Sequence, residues 1–476
     1  MINLIRNELY KIFHKKGIYI VLLITLLFSI FVNFIYNSSF ASANYLDESY
    51  EIELYYTKTL EKEGTTDSED YLYSKIYIKT YEFAKSFGKD SWQRYILSID
   101  ETYSTRLNEI MDTIVKYELK KTNNQELYEQ ALKEKDALEK ELKEISWKDF
   151  AKKDIENTKK LLASETIDET KYMYQAKIDT LNLRLNNNIK YGFNNFNGYL
   201  ETYQNNRSIV LSYEKTDENL LKEEDKKTRD AAIQDMELVK YRIENKIEEP
   251  TYKTAYSVIN NFYIEFNIMI IVIIVLISGS IVSDEFSKGT IKLLLVKPYT
   301  RTKILLAKYI TTLLMVLFAI IVTFTFNFII SGIFFGYNSL SIPFVVYDLG
   351  TNAIKEMHIL KYVLLMTIAI LPQLVILSTL AFSLSAITTS TSLANTLTMI
   401  VGFGGNIINA IAQTLEITLI KLSVTLHWDF SCYLFGGTSP YKGVSLPLSI
   451  TICIIYLILM LAITNIVFNK RNIKNI

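Results

Sequence analysis

Six apolar windows constrain this 476-residue chain more than any other feature of its sequence. Each has roughly 20 residues or more, enough for an α-helix to cross the hydrocarbon core of a bilayer. A helix satisfies its own backbone hydrogen bonds, which lipid cannot do. The sequence therefore predicts an all-α polytopic membrane protein with six transmembrane helices, at residues 18–36, 262–283, 304–335, 361–387, 393–415 and 446–468.

Lysine and arginine cluster beside three of these windows, and basic residues are retained on the cytoplasmic side of a membrane. The clusters lie in residues 1–17, 284–303 and 469–476. All three share one side when the span count is even, so both termini are expected in the cytoplasm. The segment 37–261 and a loop or re-entrant helices at 416–445 then lie outside. Abundant Lys, Asn, Ile and Tyr with only six prolines is typical of an AT-rich bacterial genome, so we expect a multi-pass protein of the bacterial plasma membrane.

A cleavable signal peptide is the alternative to the first span. A basic start and the triplet Ala41-Ser42-Ala43 resemble such a leader. The apolar run is longer than the roughly 7–15 residues of a signal core, however, and the sequence favours a retained span.

The neutral net charge hides two oppositely charged parts. Residues 41–250 hold 43 of the 51 acidic and 33 of the 51 basic residues, a net charge of −10, and the remainder carries +10. The basic part suits an anionic cytoplasmic leaflet, and the acidic insert is expected to be soluble.

The insert is predicted to be a large helical, coiled-coil-like domain. Residues 107–162 are rich in Glu, Lys, Leu and Ala, contain no proline or glycine, and repeat apolar side chains every three or four positions. Residues 222–247 form a second helical piece, and the Asn-, Gly- and Tyr-rich residues 186–206 interrupt the pattern. An antiparallel bundle or hairpin is the simplest architecture.

Aromatic side chains of the insert leave two interpretations open: a surface for an amphiphilic ligand, or the core and grooves of a helical domain. They include Trp92, Trp147, Tyr71, Tyr73, Tyr77, Tyr172, Tyr174 and Tyr191. No motif in the chain predicts a catalytic, metal or nucleic-acid site. His14, His358 and His427 fall in three topological regions, and Cys432 and Cys453 are not expected to pair.

The connector at residues 284–303 is more elaborate than a link between two spans requires. Gly289 is expected to break the preceding helix, Thr290 to cap a short helix carrying Leu293 and Leu294, and Pro298 to end it. Basic rims and an apolar side suit docking into a groove of a cytoplasmic partner. The alternative is a turn on the membrane surface, held there by lysines and phospholipid.

Residues 1–17 have apolar side chains near helical spacing, opposite Arg6, Lys11 and Lys15. This pattern predicts an amphipathic helix lying along the inner leaflet. A simple basic anchor that continues into the first span is the alternative.

Two segments carry a resemblance to a known family. The run Glu285-Phe286-Ser287-Lys288-Gly289-Thr290, continuing through Leu293, Leu294 and Pro298 to Arg301, resembles the coupling helix of the membrane subunits of type-two ATP-binding-cassette (ABC) exporters. The opening Asn7-Glu8-Leu9-Tyr10-Lys11-Ile12 is similar to the amphipathic helix of that family. With the six-span layout, the resemblance covers residues 1–36 and 262–476. The large insert departs from the minimal members, although permeases with such an insert occur among peptide-antibiotic exporters of Gram-positive bacteria.

The resemblance implies that the chain needs partners. It would bind no cofactor itself, because ATP and Mg would be held by a separate ABC ATPase subunit present in two copies. A second permease, identical or different, would complete the unit in the lipid membrane, with no nucleic acid involved. Glu285 and Arg301 are candidates for polar contacts to the ATPase or to the amphipathic helix.

Several residues inside the predicted spans are candidates for a dimer interface or a substrate pathway. Gly402 and Gly405 would allow close helix approach, and Asn406 and Asn409 would place amides in a nonpolar setting. The fourth span combines the kink of Pro372 with the polar Gln373. Ordinary helix packing explains these residues equally well.

The sequence thus favours an exporter permease that moves an amphiphilic substrate outward, such as a peptide, an antibiotic or a lipid-like molecule, in self-protection or resistance. The alternative is an ATPase-driven mechanotransducer or sensor that transports nothing and acts through the outer domain. An adhesin or receptor without an ATPase would leave the connector unexplained. In none of these functions is the chain an enzyme by itself.

Overall fold

A computed structural model of the protein describes residues 1–38, 42–214, 216, 221–291, 299–414, 418–441 and 443–471. The chain divides into two compact units. Met1–Ser39 and Pro250–Ile476 form the first, called here the membrane unit, and Phe40–Glu249 form the second, called here the helical unit. The prediction of a mostly helical chain is confirmed. The helices are α1 (Ile2–Phe13), α2 (Lys16–Ser38), α3 (Ser42–Glu63), α4 (Glu69–Lys85), α5 (Trp92–Ile99), α6 (Glu101–Glu118), α7 (Gln125–Glu144), α8 (Trp147–Ser164), α9 (Asp168–Asn186), α10 (Asn195–Glu214), α11 (Glu223–Glu244), α12 (Ala255–Asn260), α13 (Phe262–Ser280), α14 (Ser283–Ser287), α15 (Arg301–Phe335), α16 (Ile359–Thr388), α17 (Thr391–Thr414) and α18 (Leu446–Lys470).

Within the described residues, five helices are long and apolar enough to cross a membrane: α2, α13, α15, α16 and α18. The remaining predicted span, residues 393–415, is the fifth in chain order and falls largely on α17. This helix is less apolar than the other five because Asn395, Asn406 and Asn409 interrupt its hydrophobic run. Length and composition therefore establish five candidate spans.

The third predicted span belongs to the longest of these helices. α15 has 35 residues and extends over about 52 Å, well beyond the thickness of a hydrocarbon core. The Thr300 side chain caps its start by accepting a hydrogen bond from the Lys303 amide. Its end is fixed by Gly336, whose φ of 70° suits a residue without a Cβ atom.

A short β-hairpin follows α15, and the prediction of an all-helical chain missed it. Strands β1 (Phe344–Asp348) and β2 (Ala353–Met357) pair antiparallel, with Phe344 opposite Met357. The Asp348 side chain accepts hydrogen bonds from the amides of Gly350 and Thr351 and so stabilises the turn.

The predicted outer domain, residues 37–261, is longer than the helical unit. Residues 250–261 pack with the membrane helices instead, where α12 is buried and the Tyr256 amide donates to the Ser339 hydroxyl. Within the helical unit, the region 107–162 is divided among α6, α7 and α8. Side chains of Asn124 and Ser146 cap the last two, which explains the breaks. The interruption predicted for residues 186–206 is shorter than expected, because α10 begins at Asn195.

Several of the aromatic residues of the insert form the core of the helical unit. Trp92 lies 5.2 Å from Phe150 between ring centroids, and Phe150 lies 5.7 Å from Tyr191. Trp92 and Tyr191 are buried, as is Tyr71, whose hydroxyl donates to Glu61. Tyr73, in contrast, is 65% exposed. The core interpretation therefore holds for Trp92, Tyr191 and Tyr71 but not for Tyr73.

A buried polar contact joins α2 to α15 inside the membrane unit. Asn33 donates from Nδ2 to Oδ1 of Asn327 at 3.1 Å, and its own Oδ1 accepts from the Ser331 hydroxyl at 2.8 Å. All three side chains are fully buried. Hydrogen bonds of this kind hold helices together where lipid provides no hydrophobic driving force.

Replacing Asn33 with leucine is expected to lower the stability of the membrane unit by about 1 kcal/mol, because the partner groups on α15 lose their hydrogen bonds. Thermal unfolding of the detergent-solubilised protein measures this loss. Asn37→Leu is the matched control, since Asn37 lies one turn later on the same helix and is exposed. An equal melting temperature for both variants would contradict the prediction.

Candidate functional site

The predicted coupling segment and the predicted amphipathic helix meet in the membrane unit. α13 is followed by α14, and α14 lies beside α1. Between them is a cleft of about 430 Å³, and most of the residues that line it are of charged or polar type. The lining residues are Asn7, Glu8, Lys11, Ile12, Lys15, Ile281, Asp284, Glu285, Lys288 and Thr290.

A buried lysine stands at the centre of this site. The Nζ atom of Lys308, on α15, lies 2.7 Å from Oε2 of Glu8 and 3.0 Å from Oε1 of Glu285. It also donates to the carbonyl oxygen of Ile281 at 3.0 Å. The side chain is only 1% exposed, so it joins α1, α14 and α15 away from water.

Two further lysines contact carboxylates of α14, Lys11 from α1 and Lys15 from the junction between α1 and α2. Lys11 contacts Oε1 of Glu8 at 2.9 Å and Oε1 of Glu285 at 2.8 Å. Lys15 contacts Oδ2 of Asp284 at 2.7 Å. Glu8, Lys11, Glu285 and Lys308 therefore form one network, called here the charge network, in which each carboxylate has two cationic partners.

The charge network determines how the attachment of α1 depends on pH. Burial alone would raise the pKa of Glu8, but Lys308 and Lys11 outweigh it and lower the pKa below its ordinary value of 4.5. Burial alone would lower the pKa of Lys11, but Glu285 and Glu8 raise it above 10.5. The stabilisation that ionised Glu8 gives to the attachment of α1 is thus fully present above pH 4.5, and it is lost as the pH falls through the lowered pKa of Glu8. The stabilisation that protonated Lys11 gives to the same attachment is fully present below pH 10.5, and it is lost as the pH rises through the raised pKa of Lys11.

We therefore expect α1 to stay attached from about pH 5 to pH 10 and to detach in acid. The fluorescence anisotropy of a dye on the N-terminus should be constant over that range and fall below it. The control is Glu8→Gln, which has no carboxylate to protonate and should lose the acid transition assigned to this group. An unchanged transition in the variant would contradict the assignment.

Hydroxyl groups connect the start of α14 to α16 and α17. The Ser283 amide donates to Oγ of Ser385 at 2.9 Å, and the hydroxyls of Ser283 and Thr391 lie 2.6 Å apart. Thr391 also donates to Oδ1 of Asp284 at 3.1 Å. Movement of α14 would thus act on four neighbouring helices.

Arg301 lies elsewhere, at the junction of α15 and α18. Its Nη1 donates to the carbonyl oxygens of Asn469 and Arg471, at 3.0 and 2.9 Å. Arg471 donates to the carbonyl of Ala386 and lies over the ring of Phe286, with its guanidinium carbon 5.3 Å from the centroid. Arg301 thus contacts the end of α18, whereas Glu285 contacts the amphipathic helix.

The remaining residues of the predicted coupling segment are only partly described. Lys288 is exposed, Gly289 has a φ of 66°, and Thr290 donates to the carbonyl of Glu285 at 3.4 Å. Leu293, Leu294 and Pro298 lie outside the described residues, as does the side chain of Asn406.

The predicted interface or pathway residues pack within the chain. A Cβ atom at Gly402 would lie 3.5 Å from Leu377, and one at Gly405 would lie 2.7 Å from Thr425. Oδ1 of Asn409 accepts from the Thr425 hydroxyl at 2.7 Å. Gln373, next to Pro372 inside α16, accepts from Asn267 at 3.3 Å. These contacts agree with ordinary helix packing, which the sequence had left open.

Sequence reasoning did not identify Lys308 as the centre of the site. A signal was present, because Lys308 follows Ile304-Leu305-Leu306-Ala307 inside a predicted span. An ionisable residue in such a position is expected to have a partner and a function.

Comparisons with known proteins agree with the membrane character of the chain. The model of a family described as "Protein of unknown function (DUF2705)" matches residues 231–474. The chain belongs to the DUF2705 family. Two Bacillus subtilis (strain 168) proteins are similar to this DUF2705 chain. "Uncharacterized protein YhcI" is 28% identical over 53% of this chain and 80% of its own length. "Uncharacterized membrane protein YdbK" is 24% identical over 44% of this chain and 79% of its own length. No solved structure matches the chain.

Proposed function

We propose that this DUF2705 protein is the permease subunit of an ABC exporter. Two copies of a separate ATPase subunit would bind ATP and Mg, and the permease would move an amphiphilic substrate outward as part of a homo- or heterodimer. The charge network is the observation that carries this proposal, since it fastens the segment that resembles a coupling helix to both α1 and α15.

The network explains how force on the connector would reach the membrane helices. Lys308 binds Glu285 and Glu8 directly, so a displacement of α14 would shift the start of α15 and the whole of α1. The hydroxyl contacts of Ser283 would carry the same displacement to α16 and α17. Closure of an ATPase dimer would then be converted into a change between two helix arrangements.

The proposal includes a topology. α17 would also cross the membrane, as the fifth of six spans, so that both termini and the connector lie in the cytoplasm of a bacterial cell and the helical unit lies outside. The basic character of residues 1–17, 284–303 and 469–476 supports this orientation.

Co-purification of an ATPase from the native host tests the proposal. The detergent-solubilised protein should retain a separate ATPase with vanadate-sensitive hydrolysis, and Leu293→Asp in the connector should abolish the association. Leu422→Asp is the matched control, because Leu422 is 64% exposed and lies at the proposed outer end. Glu285→Ala should reduce hydrolysis by loosening α14.

Failure of the wild-type protein to retain any ATPase would overturn the exporter proposal. Equal loss of the ATPase in Leu293→Asp and Leu422→Asp would show that the connector is not the docking element.

One observation favours a second candidate function, an ATPase-driven mechanotransducer or sensor that transports nothing. The helical unit has its own buried core, which includes Leu107, Leu138 and Leu142, so it can act as a separate body. Transport of a dye-labelled amphiphile into inside-out vesicles that contain the complex separates the two functions. ATP hydrolysis without uptake would favour the mechanotransducer.

A further inference from the structure

An exposed aromatic face on α3 and α4 of the helical unit is not explained by the core. Ile52 is 68% exposed, Tyr55 75% and Tyr73 65%. Tyr56 joins the two helices on this side, because its hydroxyl lies 3.5 Å from Oδ2 of Asp70, one turn before Tyr73. We call Ile52, Tyr55, Tyr56 and Tyr73 the aromatic face.

Carboxylates accompany this face. Glu48 and Glu51 lie one helical turn before Ile52 and Tyr55, and Glu69 lies one turn before Tyr73. Among the described residues, none of these three carboxylates forms an ion pair. Residues 42–85 hold ten acidic and five basic residues.

The lysines of α4 have other partners, so they do not offset these carboxylates fully. Lys75 pairs with Glu61 and Lys79 with Glu118, while Lys85 lies over the rings of Tyr50 and Tyr81. Lys58 and Lys62 are the basic residues of α3. The aromatic face therefore lies in a locally acidic surface.

We propose that the aromatic face binds a cationic amphipathic peptide. Apolar side chains of the peptide would cover Ile52 and the tyrosine rings, and its lysines or arginines would contact the ring faces and the unpaired carboxylates. A second copy of the chain is a poor occupant, because a symmetric contact would place two acidic surfaces against each other. Binding of this kind requires no ATPase, so the peptide-binding proposal can be tested independently of the exporter proposal.

The test uses the full-length protein in non-ionic detergent and a dye-labelled synthetic helix of lysine and leucine. Fluorescence anisotropy, corrected for empty micelles, should show binding that weakens with salt. The same helix with glutamate in place of lysine should not bind. The double variant Tyr55→Ser/Tyr73→Ser removes two aromatic rings from the face and should weaken binding of the lysine helix about tenfold. Neutralising Glu48→Gln/Glu51→Gln should weaken it severalfold.

Ile167→Ser/Met173→Ser is the matched control, because these side chains are 60% and 62% exposed around the start of α9, on helices of the same unit other than α3 and α4. It should bind the lysine helix as the wild type does, and circular dichroism should show that all variants are folded. Equal binding by wild type and Tyr55→Ser/Tyr73→Ser, or an equal loss in the control, overturns the proposal. So does a wild-type dimer that Tyr55→Ser/Tyr73→Ser dissociates while peptide binding is unchanged, since the face would then be a self-interface.

Discussion

Lys308→Met is expected to destabilise the membrane unit by about 3–5 kcal/mol. The substitution leaves Glu8 and Glu285 buried beside each other, with Lys11 as their remaining cationic partner within the described residues. Their side chains are 7% and 10% exposed, so water compensates little. The Ile281 carbonyl also loses its hydrogen bond from Lys308. Thermal unfolding in detergent should show a large fall in melting temperature, and a dye on α1 should show greater mobility.

Two variants separate the charge effect from the loss of a long side chain. Lys303→Met changes an exposed lysine in the first turn of the same helix and should have little effect. Lys308→Met/Glu8→Gln/Glu285→Gln removes the uncompensated charges and should recover much of the loss. If Lys308→Met unfolds at the same temperature as Lys303→Met, the charge network does not stabilise the site.

The sequence predicted the apolar helices well because membrane spans are determined by local composition. α2, α13, α15, α16 and α18 are each a continuous apolar run, which no distant contact needs to supply. The hairpin at residues 344–357 was missed because its two strands have five residues each and only weak alternation.

The charge network depends on contacts that composition cannot reveal. Glu8 and Lys308 are 300 positions apart, and only the packing of α1 against α15 brings them together. Glu285 was a candidate for a contact to the amphipathic helix, but the sequence did not indicate that Lys11 would be its partner. The breaks between α6, α7 and α8 could have been predicted from the sequence, because Asn124 and Ser146 are residue types that commonly cap helices.

Gly436→Ala is expected to destabilise the part of the membrane unit where the loop before α18 meets the β-hairpin, by about 3–5 kcal/mol. Gly436 has a φ of 76°, and a Cβ atom there would lie 2.1 Å from the backbone nitrogen of Gly350, in the turn of the hairpin. Backbone atoms cannot move aside as a side chain can. The overlap would push the loop before α18 away from the hairpin and break the 2.8 Å hydrogen bond from the Leu349 amide to the Phe435 carbonyl.

Gly336→Ala distinguishes this overlap from backbone strain alone. Gly336 has a φ of 70°, and a Cβ atom there would have no neighbour within 4 Å, so this variant should lose only the about 1–3 kcal/mol expected of strain. Hydrogen exchange of the Leu349 amide should accelerate in Gly436→Ala and stay unchanged in Gly336→Ala. Equal exchange rates in the two variants would show that the close approach of Gly436 to Gly350 does not hold the hairpin. Accelerated exchange in Gly436→Ala alone would mean that this contact holds the loop before α18 to the hairpin after α15, at the opposite end of α15 from Lys308.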